Sequence, residues 1–179
     1  MEKGKKGYDG EDNFLKPAME KNDPLRLAAG AHDLFIRKRL TLSVAESCTG
    51  GLISHLITSI PGASVFFDAG AVTYSSVSKM RMLGVSERVL ATFGAVSAET
   101  AAEMATKVRA LLGTDFSLST TGNLGPDVLE GKEKGLVYIG VASRAGVEVK
   151  TLHLKGERLE NKEKTVYMAL EFLLDAAGR

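Results

Sequence analysis

The sequence has one cysteine, three histidines and almost no net charge, and each shortage closes off a class of protein. A lone Cys48 forms no internal disulfide and offers no cysteine cluster for zinc, so a reducing compartment is expected. A formal net charge of +1 leaves no bulk positive charge to attract a phosphodiester backbone, and nucleic acid is not an expected partner. The local cluster Arg37-Lys38-Arg39 reads as a solvated helix end favoured by the helix dipole. Apolar runs fall far short of the roughly 18 residues that cross a bilayer, and the charged N-terminus lacks the apolar stretch of a signal peptide. A cytoplasmic protein with no membrane partner is the expectation.

What is present is enough for one well-buried core. The chain has 179 residues, 44% hydrophobic and 25% charged, too short for two comfortable cores. Residues 1–23 mix lysines and acids with scattered Tyr8, Phe14, Leu15 and Met19 and no clear period, which reads as a charged arm. Such an arm on a small chain suggests docking against a neighbouring subunit, so a homo-oligomer is expected. Residues 24–179 are the domain. Asp23-Pro24 has the form of an N-cap followed by proline in the first turn, opening a helix to about Arg39 with Leu27, Ala31, Leu34 and Phe35 on one face.

Five strands are expected, at 42–45, 70–74, 116–120, 136–142 and 147–154. One intervening helix carries Leu52, Ile53, Leu56 and Ile57 and is stopped by Pro61-Gly62. Another carries Met104, Val108, Leu111 and Leu112, with Ser97 as N-cap and Gly113 closing it. The last two strands read as a hairpin around Arg144-Ala145-Gly146, and Val166, Ala169, Leu170, Leu173 and Leu174 mark a final helix. Strands separated by helices and finished by a hairpin predict an α/β fold, a three-layer α/β/α sandwich on a mixed, partly parallel five-stranded sheet.

Three stretches carry potential chemistry. In SVAESCTGGLISHLI, residues 43–57, a strand ends in Glu46-Ser47-Cys48-Thr49-Gly50-Gly51 at the start of a helix. Open α/β sheets bind ligands at this edge, and the first amides of a helix suit an anion or a developing oxyanion. The bland alternative is that Thr49 caps the helix and the glycines only make the turn. In AVTYSSVSKMRMLGV, residues 71–85, the second strand ends at Tyr74 and a helix carrying Lys79 begins at the same edge. A serine needs a base to become a nucleophile, and His32, His55 and His153 lie in no triad context. A lysine becomes that base when burial lowers its pKa, with Tyr74 relaying or positioning the proton, although most lysines are solvated. In LSTTGNLGPDVLEGKEKGLVY, residues 118–138, a glycine-rich loop with Lys132 and Lys134 has the makings of a phosphate or ribose wrap. It has neither a Walker pair nor a full GxGxxG pattern, so an ATPase or dinucleotide fold is excluded.

Read in order, AESCTGGLISHLITSIPGASVFFDAGAVTYSSVSKMRMLGV, GAVSAETAAEMATKVRALLGTD and TTGNLGP resemble the CinA C-terminal-domain family, which includes the bacterial nicotinamide-nucleotide amidohydrolases. The resemblance covers about residues 25–175, in the form without the large N-terminal domain of full-length CinA proteins. It implies hydrolysis of the carboxamide of nicotinamide mononucleotide to nicotinate mononucleotide and ammonia, with no metal and no cofactor. On matching positions, Ser47 is the implied nucleophile, Lys79 the general base and Tyr74 their neighbour, with a hypothetical oxyanion hole among the amides of Cys48 to Gly50. The substrate site would draw on Glu46, Cys48, Thr49, Gly50, Gly51, Thr121, Gly122, Gly125, Pro126, Lys132 and Arg158. Between the adjacent Ser47 and Cys48 the resemblance favours Ser47, leaving Cys48 a small packed residue.

The chain also departs from the family pattern. Ser76 replaces the asparagine of Tyr-Ser-Asn. Leu124, Val128 and Leu129 replace alanine and glycines in the third loop, and Lys162 stands where a phosphate-binding arginine is usual. Two further readings therefore stay open: a nucleotide-binding or regulatory module of this fold with weakened turnover, and an amidohydrolase of another amide.

Overall fold

A computed structural model describes residues 23–179; the charged arm expected over residues 1–23 lies, apart from Asp23, outside the described residues. Helix α1 (Pro24–Lys38) opens as its sequence predicts, with the Asp23 carboxylate accepting the Leu25 N–H at 2.8 Å and proline in the first turn. Its end is not simply solvated: Lys38 Nζ donates to the Ala177 and Gly178 carbonyls, capping the last helix of the chain. Strand β1 (Leu42–Glu46) is buried along its whole length, as expected for a strand covered on both faces.

Helix α2 (Leu52–Thr58) follows, then β2 (Phe67–Val72), a short α3 (Ser76–Ser78) that continues as a π-helical turn over Lys79–Leu83, α4 (Glu87–Phe93) and α5 (Ala98–Leu112). Strands β3 (Phe116–Gly122), β4 (Leu136–Ser143) and β5 (Gly146–His153) lead to the long α6 (Arg158–Gly178). The sheet order is β2-β1-β3-β4-β5. β1 runs parallel to both β2 and β3, and β3-β4-β5 is antiparallel, so the mixed five-stranded sheet of a three-layer α/β/α fold is observed.

β2 begins and ends earlier than residues 70–74. Phe67, Ala69 and Ala71 are its half-buried positions and Asp68, Gly70 and Val72 its exposed ones, with Gly70 close against Ser54 of α2; Asp68 interrupts the apolar signal at the start of this edge strand. At its end the ladder closes with the Thr73 N–H on the Glu46 carbonyl, after which the chain turns its Thr73 and Tyr74 carbonyls toward Lys79.

One layer packs α1, α2 and α6 on Leu42, Val44, Leu118, Val137, Ile139 and Val141 of the sheet. Each large aliphatic side chain fully buried there contributes roughly 1.5–3 kcal/mol. The opposite layer is thinner, with Met104 and Val108 of α5 meeting Ala45, Leu83 and Val85. Here β3 presents hydroxyls: Ser117 and Ser119 donate at 2.6 Å to the Ala105 and Ala101 carbonyls of α5, which draws that helix close to the strand. Among the described residues no helix is long and apolar enough to cross a membrane.

Candidate active site

Beyond the last residue of β1 the chain enters the turn Ser47-Cys48-Thr49-Gly50-Gly51. Strand alternation sends Leu42, Val44 and Glu46 toward the α2 layer and Ala45 and Ser47 toward α5 and the π-helical turn. Glu46 is fully buried. Its carboxylate accepts the Gly51, Ile53 and Ser54 N–H groups at 2.9–3.1 Å and the Ser54 hydroxyl at 2.7 Å.

Those are the first free amides of α2, so the anion that the helix start attracts is the protein's own Glu46. The expectation that Glu46 binds substrate is thereby corrected. The helix starts at Leu52, with Gly51 at φ 93° as the cap, a left-handed turn that favours glycine. Thr49 neither caps the helix nor faces a ligand; its hydroxyl bonds that of Thr120 at 2.7 Å inside the core.

On the other face Ser47 meets Lys79. Lys79 is 1% exposed, carried there by the π-helical turn after α3, whose N-terminus Ser75 caps by exchanging hydrogen bonds with Ser78. Its Nζ lies 2.9 Å from Ser47 Oγ, 2.8 Å from the Thr73 carbonyl and 3.4 Å from the Tyr74 carbonyl. A neutral amine has two N–H groups and one lone pair. With two carbonyls taking the N–H groups, the lone pair is left to accept the Ser47 proton. Burial lowers the Lys79 pKa to about 8, against the opposing pull of Cys48 and Glu130.

Cys48, one residue on, is moved the other way: burial raises its thiol to about 12, outweighing a hydrogen bond with the Thr120 side chain. It is a packed thiol at neutral pH, as expected. Among the backbone amides of the turn, Ser47 N–H donates to the Thr120 carbonyl, Gly50 N–H to the Ser47 carbonyl and Gly51 N–H to Glu46. Gly50 therefore drops out of the expected oxyanion hole; the Cys48 amide lies against its own thiol, and among the described residues no other residue accepts from the Cys48 and Thr49 amides.

The dyad opens into a cleft of about 220 Å³ walled by Tyr74, Ala95, Val96, Leu124, Leu129 and Arg158, with Cys48, Thr121, Gly122, Asn123 and Asp127 completing it. The Tyr74 side chain is 60% exposed and its hydroxyl accepts from Arg158 Nη2 at 2.8 Å, while Arg158 Nη1 donates to the Gly125 carbonyl at 2.6 Å. Tyr74 thus touches Lys79 through its carbonyl, not its hydroxyl, which differs from the expected proton relay. Thr121 and Gly122 are in the wall as expected, and Gly125 contributes through its bond to Arg158. Gly50, Gly51, Pro126 and Lys132 lie outside the cleft wall. Lys132 Nζ instead donates to the Phe93 and Val96 carbonyls at 2.5 and 2.6 Å, tying one loop to another. Ala95, Val96, Asn123, Leu124, Asp127 and Leu129 were not among the expected site residues, although the Gly-Ala-Val-Ser segment that holds the first two was among the motifs and the loop that holds the other four was expected to wrap a phosphate or ribose.

Residues 25–177 match the CinA C-terminal domain family. A CinA-like protein of Endomicrobium trichonymphae is 44% identical over 167 residues, which is 92% of this chain and 39% of that protein. A putative competence-damage inducible protein of Thermoanaerobacter sp. (strain X514) is 48% identical over 141 residues, 78% of this chain and 34% of that protein. The chain thus spans well under half the length of these curated relatives. Among solved structures, the competence/damage inducible protein CihA from Agrobacterium tumefaciens superposes with TM-score 0.83 at 37% identity, covering 92% of this chain and 99% of that one. The competence damage-inducible protein A (ComA) from Klebsiella pneumoniae does so with TM-score 0.85 at 30% identity, covering 88% and 99%. Motifs, topology and overall likeness agree, and the chain belongs to the CinA C-terminal domain family.

Proposed function

We propose that the protein is an amidohydrolase that converts nicotinamide mononucleotide to nicotinate mononucleotide and ammonia by a Ser/Lys mechanism. The observation that carries the reaction type is the 2.9 Å contact between Ser47 Oγ and a buried Lys79 amine whose other partners are two carbonyls. The choice of amide rests on the motifs shared with the family's nicotinamide-nucleotide amidohydrolases.

In the reaction, Ser47 Oγ bonds to the carboxamide carbon while its proton passes to Lys79 Nζ. The oxyanion takes hydrogen bonds from the Cys48 and Thr49 amides. Lys79 then returns the proton to the departing nitrogen as the C–N bond breaks, releasing ammonia and leaving an ester on Ser47. Water attacks this ester, giving one proton to Lys79, which hands it back to Ser47 Oγ as the acid leaves. A cleft of about 220 Å³ is below the roughly 300–1,000 Å³ that encloses a drug-sized ligand. The aromatic ring therefore enters and the ribose phosphate stays at the mouth, where Arg158 supplies positive charge.

Ammonia release from nicotinamide mononucleotide at neutral pH, with chelator present, tests the reading on the native chain, Ser47→Ala and Lys79→Ala. Turnover in the native chain and a loss of at least about a thousandfold in each variant are expected. Binding without ammonia would favour a regulatory module, to which the leucines at 124 and 129 in the cleft wall point. Ammonia from other amides alone would move the substrate assignment.

A further inference from the structure

Residues 123–135, between β3 and β4, form no helix or strand, yet they are tied down from two sides. From within, the nearly buried Asn123 donates through Nδ2 to the Leu129 and Lys132 carbonyls at 3.1 and 3.4 Å and accepts the Leu129 N–H at 3.2 Å. From without, the Glu130 carboxylate accepts the Ala95 N–H at 2.7 Å and the Val96 N–H at 3.4 Å. Lys132, which bonds the Phe93 and Val96 carbonyls, also pairs with Glu130 at 3.3 Å.

An acid and a base two residues apart therefore grip the same short segment between α4 and α5. Gly94 makes room for the grip, since a Cβ there would overlap the Glu130 carboxylate. Glu130 itself sits at φ 59°, left-handed backbone that a residue with a side chain adopts at a cost. Glycine is the residue suited to that conformation, and this chain places a glutamate there, so the carboxylate must compensate for the strain. Burial acts to raise its pKa, and the two amides and Lys132 outweigh that and hold it below the usual carboxylate value.

The two sides of this contact are the two sides of the cleft. Leu129 and Asp127 line it from the loop, and Ala95 and Val96 line it from the segment that Glu130 grips. We propose that Glu130 is a positioning residue whose carboxylate latches the 123–135 loop onto the 93–96 segment and so fixes Leu129 and Asp127 in the wall that receives the substrate's ring. Glu130 bonds neither Ser47 nor Lys79 and reaches Lys79 only through its charge, so its loss should loosen fit without removing the chemistry. The choice of substrate for the test rests on the amidohydrolase reading; the latch itself does not.

Two substitutions in the full chain separate the latch from mere structural support. Glu130→Gly removes the carboxylate and relieves the left-handed strain together, so the fold is kept while the grip is lost. Glu130→Gln keeps the shape and loses the charge. Limited trypsin digestion under native conditions, read by mass spectrometry after Lys132 and Lys134, reports loop opening with no substrate needed. Cleavage about tenfold faster in Glu130→Gly than in the native chain, and intermediate in Glu130→Gln, is expected.

At pH 9, where Lys79 is already mostly neutral in the native chain and the Glu130 charge that acts on it matters least, KM for nicotinamide mononucleotide should rise about tenfold in Glu130→Gly with kcat held within about twofold, because the ring is received less well. Unchanged cleavage overturns the latch whatever the enzyme does. Faster cleavage with unchanged KM, or a fall in kcat alone, overturns its role in the cleft wall. If the native chain releases no ammonia, the amidohydrolase reading fails and the cleavage rates still decide the latch.

Discussion

Raising the pH should stabilise the native chain relative to Lys79→Met, and the size follows from one buried amine. Lys79 moves from 10.5 to about 8 on burial, a difference of about 2.5 pH units, which is about 3 kcal/mol at 1.36 kcal/mol per unit. Because the folded value is the lower one, the unfolded chain binds the extra proton between about pH 8 and 10.5, and stability from this group rises with pH across that window. Below about pH 8 the full penalty of a buried charged lysine is present. Between pH 7.5 and 10 about 2 kcal/mol of it should be recovered.

Methionine keeps the bulk of the side chain and has no proton to lose. The thiol of Cys48 titrates in the opposite sense, from 9.0 unfolded to about 12 folded, and Lys79 is among the groups that act on it, so both chains carry Cys48→Ser to take it out of the comparison. Urea unfolding of both chains at pH 7.5 and pH 10 measures the difference. A gap that stays constant with pH would refute the claim that the amine is desolvated.

The same number governs catalysis. At pH 7 a lysine at about 8 is neutral in roughly one molecule in ten, against roughly three in ten thousand for an ordinary lysine. The limb of kcat/KM should climb tenfold per unit below about pH 8 and flatten above it. A rate still climbing at pH 10 would assign the proton transfer to some other group.

Three further outcomes follow from the cleft and the turn beside it. Glu46→Gln replaces an acceptor of four hydrogen bonds with a side chain whose amide end opposes at least one donor. It should lower the urea midpoint by the equivalent of about 3 kcal/mol at unchanged slope, and an unchanged midpoint would show that the buried carboxylate does not hold the helix start. Cys48 should react with iodoacetamide at pH 7.5 at least about 100-fold more slowly in the folded chain than in urea; equal rates would contradict a buried, protonated thiol. Arg158→Lys cannot bridge the Gly125 carbonyl and the Tyr74 hydroxyl together, and KM for the mononucleotide should rise about tenfold with kcat near native, a result that unchanged KM would exclude.

The frame of this fold was legible where local chemistry decides it. Asp23-Pro24 and the Ser97 to Gly113 pair mark helix ends because caps are made by neighbours in sequence. The hairpin turn between β4 and β5 falls where Arg144-Ala145-Gly146 places it. The α4 helix, which has no buried residue, left no periodic trace to read. What sequence could not supply is which partner a group finds. The amides at the start of α2 read as a free anion site, and the anion that fills them is Glu46, five residues upstream of the nearest amide it holds. Lys132 read as a phosphate ligand and is a strut, because the carbonyls it reaches are more than 35 residues away.

Ser47 and Cys48 show how one turn gives adjacent residues opposite reactivity. In isolation the thiol is the better nucleophile. Both residues are buried, and burial disfavours charge wherever it falls. An amine responds by losing its proton, so Lys79 moves down toward neutrality and becomes a base; a thiol responds by keeping its proton, so Cys48 moves up and falls silent. Serine, neutral until the moment of attack, loses nothing by burial so long as a base lies beside it, and Lys79 lies 2.9 Å away. The same dry environment therefore selects the weaker nucleophile by activating its partner, and exchanging the two residues, as Ser47→Cys with Cys48→Ser, should place a thiol beside the amine. A thiolate–ammonium pair would then form by proton transfer, visible as absorbance near 240 nm that appears at lower pH than in the native chain. If no such absorbance appears below pH 9, proximity to Lys79 is not what separates these two side chains.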